Sequence, residues 1–355
     1  MNTFIQDVRA RGLEEAERQA ERVLEDYREA GLCGALVPTE LGGLGWSASE
    51  AVRLLGELGS TAPSAAIGVV MHNFSIAGLA AAWRHGAGTM GELLISVADQ
   101  GLFVSSGFAE LGLGSTLTRP SMTAVRRGEA WAVNGVKRPC SLSRSMDLLT
   151  ASVWLEDDEH GGYAVAIIPA GTEGISVERL WSNHVLEGAQ SDAVVLQDVI
   201  VKDTQLVRPD KAMAAEAAVL QVVGMNWFLL MIMSAYLGMA RRLTSELVEG
   251  GCERGGSWSR ARRLSSAVEG CELSVVAFAA RMEDAGQDPH RLQDEILSLR
   301  AAVEVVLSTV AAEAPQCMCG TQFIGTSMIS RLRESLSGLQ FHPPAREIRY
   351  RAAEA

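Results

Sequence analysis

The hydrophobic pattern of this chain changes its period twice, and this change constrains the fold more than any other feature. Up to about residue 98, apolar residues recur at three- and four-residue spacing, which is typical of amphipathic helices. From about 102 to 207 they form short β-branched or alternating runs bounded by Gly, Asp and Pro, and these predict strands. After Pro209 long helical periods return. The chain should therefore be helical, then β, then helical.

We predict an α+β fold with three domains: an N-terminal helical domain (1–98), a central β domain (99–208) and a C-terminal four-helix bundle (209–355). Ser47 and Glu50 predict a capping box at the start of one N-terminal helix. The strand runs have no helices between them, which favours an antiparallel sheet. Strands are expected at 103–105, 122–126, 130–133, 148–154, 163–168 and 194–201. Bundle helices are expected at about 210–250, 258–285, 290–314 and 316–338.

Charge and cysteine usage exclude several classes of function. The net charge is −12, and no basic run with interleaved aromatics offsets it, so nucleic acid is not expected as a partner. The six cysteines are scattered, as expected for reduced thiols rather than a disulfide framework. Only Cys317 and Cys319 are neighbours, and no second Cys/His cluster completes a metal site, so no metal is expected.

The apolar segments indicate a cytoplasmic protein without a membrane span. The longest apolar run, Ala217–Met233, is interrupted by Gln221, Gly224 and Asn226. It is shorter than the roughly 20 apolar residues that a bilayer span needs, so we interpret it as a buried helix. The charged N-terminus has no apolar core of a secretory signal.

Two segments of the predicted β domain carry a candidate ligand site. Residues 107–116 read GFAELGLGST, and the glycines in such a loop let a backbone approach a ligand closely. Residues 128–141 read GEAWAVNGVKRPCS, a turn followed by a strand that ends in a hydroxyl. Three further segments accompany them: LVPTELGGLG at 36–45, DAVVLQDVIVKDTQL at 192–206, and a bundle pair formed by Arg254 and Gln316.

In this order and spacing, the five segments resemble the acyl-CoA dehydrogenase family over nearly the whole chain. The resemblance implies FAD bound between the β domain and the bundle. It assigns six residues to the cofactor: Gly112, Gly114 and Ser115 in the loop, Ser141 after the strand, and Arg254 and Gln316, which in the family reach the FAD of a neighbouring subunit. This chain departs from the family pattern at Ala109, where the family has Thr, and at Pro139, where it has an aromatic residue. The Phe-Gly that follows the Arg in the family is also missing.

The family's catalytic glutamate is missing as well. Most members carry it in the loop after the last bundle helix, which here reads Gln340–Pro344, and a few carry it on the first bundle helix, at the place of Phe228. The nearest candidate bases are His342, which can act near neutral pH, and Glu347 in a charged tail. We therefore predict that His342 is the catalytic residue.

The resemblance implies an FAD-dependent oxidoreductase of acyl thioesters, with acyl-CoA or an acyl-carrier protein as partner and an altered or relocated base, of the kind that serves a specialised biosynthetic pathway. Two alternatives stay open. A flavin monooxygenase of the same fold uses reduced flavin and oxygen and needs no glutamate. A non-catalytic partner subunit of a hetero-oligomeric dehydrogenase would also lose these residues. In each case a homo- or hetero-oligomer is expected.

Overall fold

The computed structural model describes residues 2–85, 89–110, 119–156, 161–208, 214–250, 257–284, 286–318, 324 and 327–344. Six helices come first: α1 (Asn2–Arg11), α2 (Leu13–Arg18), α3 (Ala20–Glu29), α4 (Ala48–Thr61), α5 (Pro63–Arg84) and α6 (Thr89–Gln100). The capping box is confirmed. The Glu50 N–H donates to the Ser47 hydroxyl at 3.2 Å, and the Ser47 N–H donates to the Glu50 carboxylate at 2.9 Å.

Eight strands form one sheet: β1 (Val104–Gly107), β2 (Thr123–Arg127), β3 (Ala130–Cys140), β4 (Leu148–Glu156), β5 (Gly162–Pro169), β6 (Ile175–Glu178), β7 (Asp192–Lys202) and β8 (Leu206–Val207). The order is β6-β7-β3-β2-β4-β5-β8, and β1 also pairs with β4. All six predicted strands are present, whereas β6 and the two-residue β8 were not predicted. Most pairs are antiparallel as expected, but β1 and β2 both run parallel to β4. The sheet is therefore mixed: β1 and β2 pair one after the other with the same edge of β4, and β5 pairs with its other edge.

Three long helices follow the sheet: α7 (Ala214–Glu249), α8 (Ser257–Arg281) and α9 (Pro289–Cys317). The fourth predicted helix differs from the structure. Helix α9 continues past Pro315 into the predicted segment, and the described residues beyond it contain a nine-residue helix, α10 (Ser327–Ser335), and a 3₁₀ turn at Leu336–Phe341. Gly338 lies in this turn against the Tyr236 ring, where an added Cβ would come within 2.4 Å of the hydroxyl.

The N-terminal helices and the bundle share one hydrophobic core, which holds Leu55 of α4, Val69 of α5 and Leu237 of α7 among many others. Helices α4 and α7 cross backbone to backbone: a Cβ at Gly59 or at Gly238 would lie 2.1 Å from a carbonyl oxygen of the other helix. The β domain has its own smaller core around Trp131 and Leu149.

Two helices are long and apolar enough to span a bilayer by length and composition, Pro63–Arg84 and Val219–Glu249. The protein buries 67% and 78% of their apolar windows, respectively. Their hydrophobicity is therefore used for core packing, as predicted for the run at Ala217–Met233.

Candidate functional site

A row of five aromatic rings crosses the junction between the sheet, the N-terminal helices and the bundle. Ring centroids lie 6.3 Å apart for Phe108 and Phe74, 5.6 Å for Phe74 and Phe228, 6.1 Å for Phe228 and His342, and 5.7 Å for His342 and Tyr236. We call Phe108, Phe74, Phe228, His342 and Tyr236 the aromatic row. It begins after β1, crosses α5 and α7 to His342 in the turn after α10, and ends at Tyr236 on α7.

Helices α5 and α7 hold the middle of the row. Phe74 projects from α5, and Gly224 and Phe228 lie one turn apart on α7, so both face Phe74. A Cβ at Gly224 would contact the Phe74 ring at 3.8 Å, which is an ordinary van der Waals distance. Phe228 is 2% exposed, whereas Phe74 and Phe108 are half-buried. The row is thus closed at the bundle and more open towards Phe108.

Arg300 of α9 holds the turn that carries His342. Its side chain is fully buried and donates to three backbone carbonyls: to Leu339 at 2.8 Å, to His342 at 2.7 Å and to Pro343 at 2.6 Å. Its Nε donates to Glu304 at 3.1 Å. One guanidinium group therefore ties the end of the chain's last described turn to the bundle.

His342 is an uncharged imidazole. Burial, and then the Arg300 guanidinium, lower the pKa of His342 to about 4. Its Nε2 lies 3.1 Å from the Tyr236 hydroxyl, whose own pKa is raised by burial. The ring can therefore accept or donate a hydrogen bond at neutral pH, but a group with this pKa is a weak base.

The resemblance predicts the family's catalytic glutamate either at Phe228 or in the loop Gln340–Pro344, and in the structure the Phe228 ring lies 6.1 Å from the His342 ring of that loop, centroid to centroid. The two rings face the same point from α7 and from the C-terminal turn. Neither is an acid. Carboxylate-assisted removal of an α-proton therefore has no base at either place.

The flavin side of the predicted site lies at the ends of β1 and β3. The Arg138 N–H donates to the Ala109 carbonyl at 3.0 Å, which holds the segment carrying Phe108 beside β3. The Ser141 hydroxyl is half-buried and lies 2.9 Å from the Ser191 hydroxyl. These hydroxyls lie next to β1, whose Ser105 hydroxyl donates to the Ser141 carbonyl, and such a pair suits the polar edge of a flavin ring.

A buried ion pair supports this region. Lys137 of β3 is fully buried and bonds Glu110 and the Ser152 hydroxyl, the latter at 2.9 Å. Glu110 also accepts the Ser121 N–H at 2.8 Å. Burial alone would raise the pKa of Glu110, but the hydrogen bonds from Lys137 and Ser121 bring it below its usual value. The carboxylate therefore joins the ends of β1, β2 and β3.

Of the remaining predicted cofactor residues, the structure describes only Gln316. Gly112, Gly114, Ser115 and Arg254 lie outside the described residues and stay predictions. Gln316 is exposed in the last turn of α9, where its side-chain oxygen accepts a hydrogen bond from Arg260 at 2.8 Å. The Gln316 side-chain oxygen therefore already has a hydrogen-bond partner within the chain.

Sequence reasoning missed several residues of this site. It singled out Phe228 and His342 as the two base places, but not Phe74, Phe108, Tyr236 or Arg300. Tyr236 lies about two turns after Phe228 on α7, and this spacing was the only available signal. Within the described ranges, no group of His, Cys, Asp and Glu side chains has the arrangement of a metal site.

Comparisons with known proteins agree with this geometry. Residues 1–90 match the acyl-CoA dehydrogenase N-terminal domain, and residues 105–199 match the middle domain. Isobutylamine N-hydroxylase from Streptomyces viridifaciens is 37% identical over 339 residues, which cover 94% of this chain and 88% of that one.

Solved structures share the fold. FMN-bound TdsC from Paenibacillus sp. A11-2 has a TM-score of 0.86 at 17% identity, covering 98% of this chain and 94% of that one. A nitrososynthase from Micromonospora carbonacea var. africana has a TM-score of 0.83 at 19% identity, covering 99% and 94%. From the domain matches and the nearly full-length relative, the chain belongs to the acyl-CoA dehydrogenase family of flavin-dependent oxidoreductases.

Proposed function

We propose that this protein is a flavin-dependent monooxygenase that N-hydroxylates an amine. The observation that carries the proposal is the adjacency of Phe228 and His342, where the resemblance predicts the family's catalytic base: the ring centroids lie 6.1 Å apart, and neither side chain is a carboxylate. Oxygen transfer to a nitrogen lone pair removes no α-proton, so it does not need a glutamate as base. The similarity to an isobutylamine N-hydroxylase over 94% of the chain supports the same reaction.

The overall reaction balances with a reduced flavin as the source of two electrons. A reduced flavin bound at the site would supply these electrons, so that one atom of O₂ is added to the amine nitrogen and the other leaves as water. The residues of this chain bind and orient the amine. The aromatic row provides apolar walls that exclude water, and His342 offers an uncharged hydrogen-bonding partner.

We propose FMN rather than FAD as the flavin. The adenosine side of the family site is incomplete in this chain, since the Phe-Gly after Arg254 is missing and Gln316 is engaged by Arg260. The isoalloxazine side keeps the Ser141 hydroxyl, which lies 2.9 Å from the Ser191 hydroxyl. A structural relative binds FMN, which is consistent with this choice. Tighter binding of FMN than of FAD in a fluorescence titration would support it, and the reverse order would contradict it.

We propose that two or more copies of this chain assemble through the bundle. Leu273 of α8 and Val305 of α9 are 66% and 64% exposed, which is unusual for large apolar residues on long bundle helices. Replacing both with Lys should shift the sedimentation coefficient towards that of a monomer, and an unchanged value would rule out this face.

The function is tested by product formation. The purified chain, FMN reduced by light, air and isobutylamine should yield the corresponding hydroxylamine in amounts that rise with protein concentration. Controls omit the protein or replace the amine with isobutanol. A second set of reactions contains oxidised FMN and an acyl-CoA without oxygen. Bleaching of the flavin in the second set, without hydroxylamine in the first, would favour dehydrogenation instead.

A further inference from the structure

Arg300 is a fully buried cation bonded to the turn that carries His342, and its bonds are unusual. Three of its four described acceptors are backbone carbonyls of one short turn, those of Leu339, His342 and Pro343. An arginine that served only to neutralise Glu304 would need none of them. The fork shape of the guanidinium allows such bonds to be made together, which a lysine cannot do.

We infer that Arg300 is a positioning residue for the proposed amine site: its guanidinium fixes the turn at 339–343 so that the His342 ring stands between Phe228 and Tyr236. This inference rests on the proposed function. It extends that function to the form of the substrate, because the turn presents an uncharged ring and the Glu304 carboxylate near it is already paired with Arg300, so the groups described around the ring offer no counter-ion to an ammonium ion. An ammonium ion is disfavoured there, and the amine is taken as its free base.

The groups that face His342 come from two helices. Tyr236 projects from α7, and its hydroxyl lies 3.1 Å from Nε2. Arg300 and its partner Glu304 project from α9, and Phe228 packs against the ring without a charge. Among these described groups, the Arg300 charge opposes protonation of His342, which agrees with the lowered pKa of that ring.

The free base is also the reactive form of the substrate. An ammonium nitrogen has no lone pair to accept an oxygen atom, so a site that bound the cation would have to remove a proton before transfer. A neutral His342 with a pKa of about 4 would do this poorly. The substrate class that fits this site is a compact apolar amine that binds along the aromatic row in its uncharged form.

The test follows the protonation of His342 directly. In protein labelled with ¹³C-histidine, His342→Gln identifies the His342 signal, and the signal is titrated in the wild type, Arg300→Lys and Arg300→Met. In the wild type we expect the midpoint far below the ordinary value of about 6.5. Arg300→Met should move it upward, and Arg300→Lys, which keeps the charge, should restore most of the shift. Arg281→Met, which removes a half-exposed arginine at the end of α8, is the matched control and should leave the midpoint unchanged.

Kinetics with several amines provide the second readout. For the wild type, KM expressed as free-base concentration should stay constant between pH 7 and 9, while KM expressed as total amine falls. Arg300→Lys should raise KM about tenfold or more with a smaller change in kcat, because the turn is loosened while the charge stays.

Two results would overturn the inference: a wild-type His342 that titrates near its ordinary value, or Arg300 variants that fold with an unchanged midpoint and KM. The wild-type titration decides the matter even if Arg300→Met does not fold. Absence of amine hydroxylation, together with the expected titrations, would overturn the proposed function and leave the assignment of Arg300 to the turn.

Discussion

The rings of Phe228 and His342, which stand where the family resemblance predicts a catalytic glutamate, lie 6.1 Å apart, centroid to centroid. These residues come from the first bundle helix and from the last described turn, so only the folded chain unites them. Their meeting point combines an apolar wall with a neutral imidazole. This environment suits oxygen transfer to an uncharged substrate better than proton abstraction.

His342→Gln should raise KM for isobutylamine and lower kcat by about tenfold at most, because an amide replaces one uncharged hydrogen-bonding group with another. Removal of a true general base typically costs 10²- to 10⁴-fold. Steady-state kinetics distinguish these cases. His290→Gln alters an exposed histidine at the start of α9 and is the control. If His342→Gln abolishes turnover while the control is normal, His342 is the base that the sequence suggested.

Gly224→Leu should reduce kcat/KM for the amine by tenfold or more, since a leucine side chain at this point of α7 would enter the space beside Phe74. Gly224→Ala should leave kcat/KM nearly unchanged, because the new Cβ would lie at an ordinary van der Waals distance of 3.8 Å from the Phe74 ring. Kinetic measurements with amines of increasing bulk test this. Equal losses in both variants would mean that the effect comes from helix packing rather than from the pocket.

Stability should fall as the pH drops from about 6.5 to about 4, partly because of His72. His72 is fully buried: Val104 N–H donates to its Nδ1 at 3.1 Å, and its Nε2 lies 2.9 Å from the Cys33 carbonyl oxygen. Burial lowers the pKa of His72 to about 4. In this window the unfolded chain binds a proton that the folded chain excludes, so acid favours unfolding. Above about pH 6.5 the His72 contribution is constant.

Urea denaturation at pH 7 and pH 5 measures this effect. From pH 7 to pH 5 the free energy of unfolding should decrease less in His72→Gln than in the wild type, because glutamine can form both hydrogen bonds but does not titrate. His85→Gln, at the exposed end of the same helix, should behave as the wild type. An identical pH dependence in all three proteins would exclude His72 as a source.

Lys137→Met should lower the free energy of unfolding by about 3–5 kcal/mol, because it leaves the buried Glu110 carboxylate without its cation. The double variant with Glu110→Gln should recover part of this loss, since no unpaired charge remains. Urea denaturation of the two single variants and the double variant gives the coupling energy. A single variant that costs less than about 1 kcal/mol would show that water already screens the pair.

Much of the fold was predictable, because the spacing of apolar residues along the sequence indicates whether a segment is a helix or a strand. The change of period located the helical and β segments, and the Ser47 and Glu50 capping box is a local signal that needs no tertiary information. The parallel pairing of β1 and β2 with β4 was not predictable, because strand neighbours depend on contacts that are distant in the sequence. The fourth long helix was wrong for a related reason: apolar spacing over 316–338 did not show that α9 continues to Cys317 or that Leu336–Phe341 forms a 3₁₀ turn.

The site was predictable only in part. The resemblance gave Phe228 and the loop Gln340–Pro344 as alternative places for the base and His342 as a candidate, but it could not show that Phe228 and His342 pack together. Arg300 looked like one of many charged residues on a helix, and only the structure reveals that it is buried and bonded to the turn of His342. The state of His342 also depends on this burial, so a histidine that the sequence favours as a base is in the folded protein a neutral ring with a pKa of about 4.

The most direct test of amine hydroxylation uses isotopic oxygen. The protein is mixed with reduced FMN and isobutylamine under ¹⁸O₂, and the product is analysed by mass spectrometry. We predict a hydroxylamine that carries one ¹⁸O atom and that forms only when protein, reduced flavin and oxygen are all present. A product without ¹⁸O, or no hydroxylamine from any small apolar amine, would contradict the account.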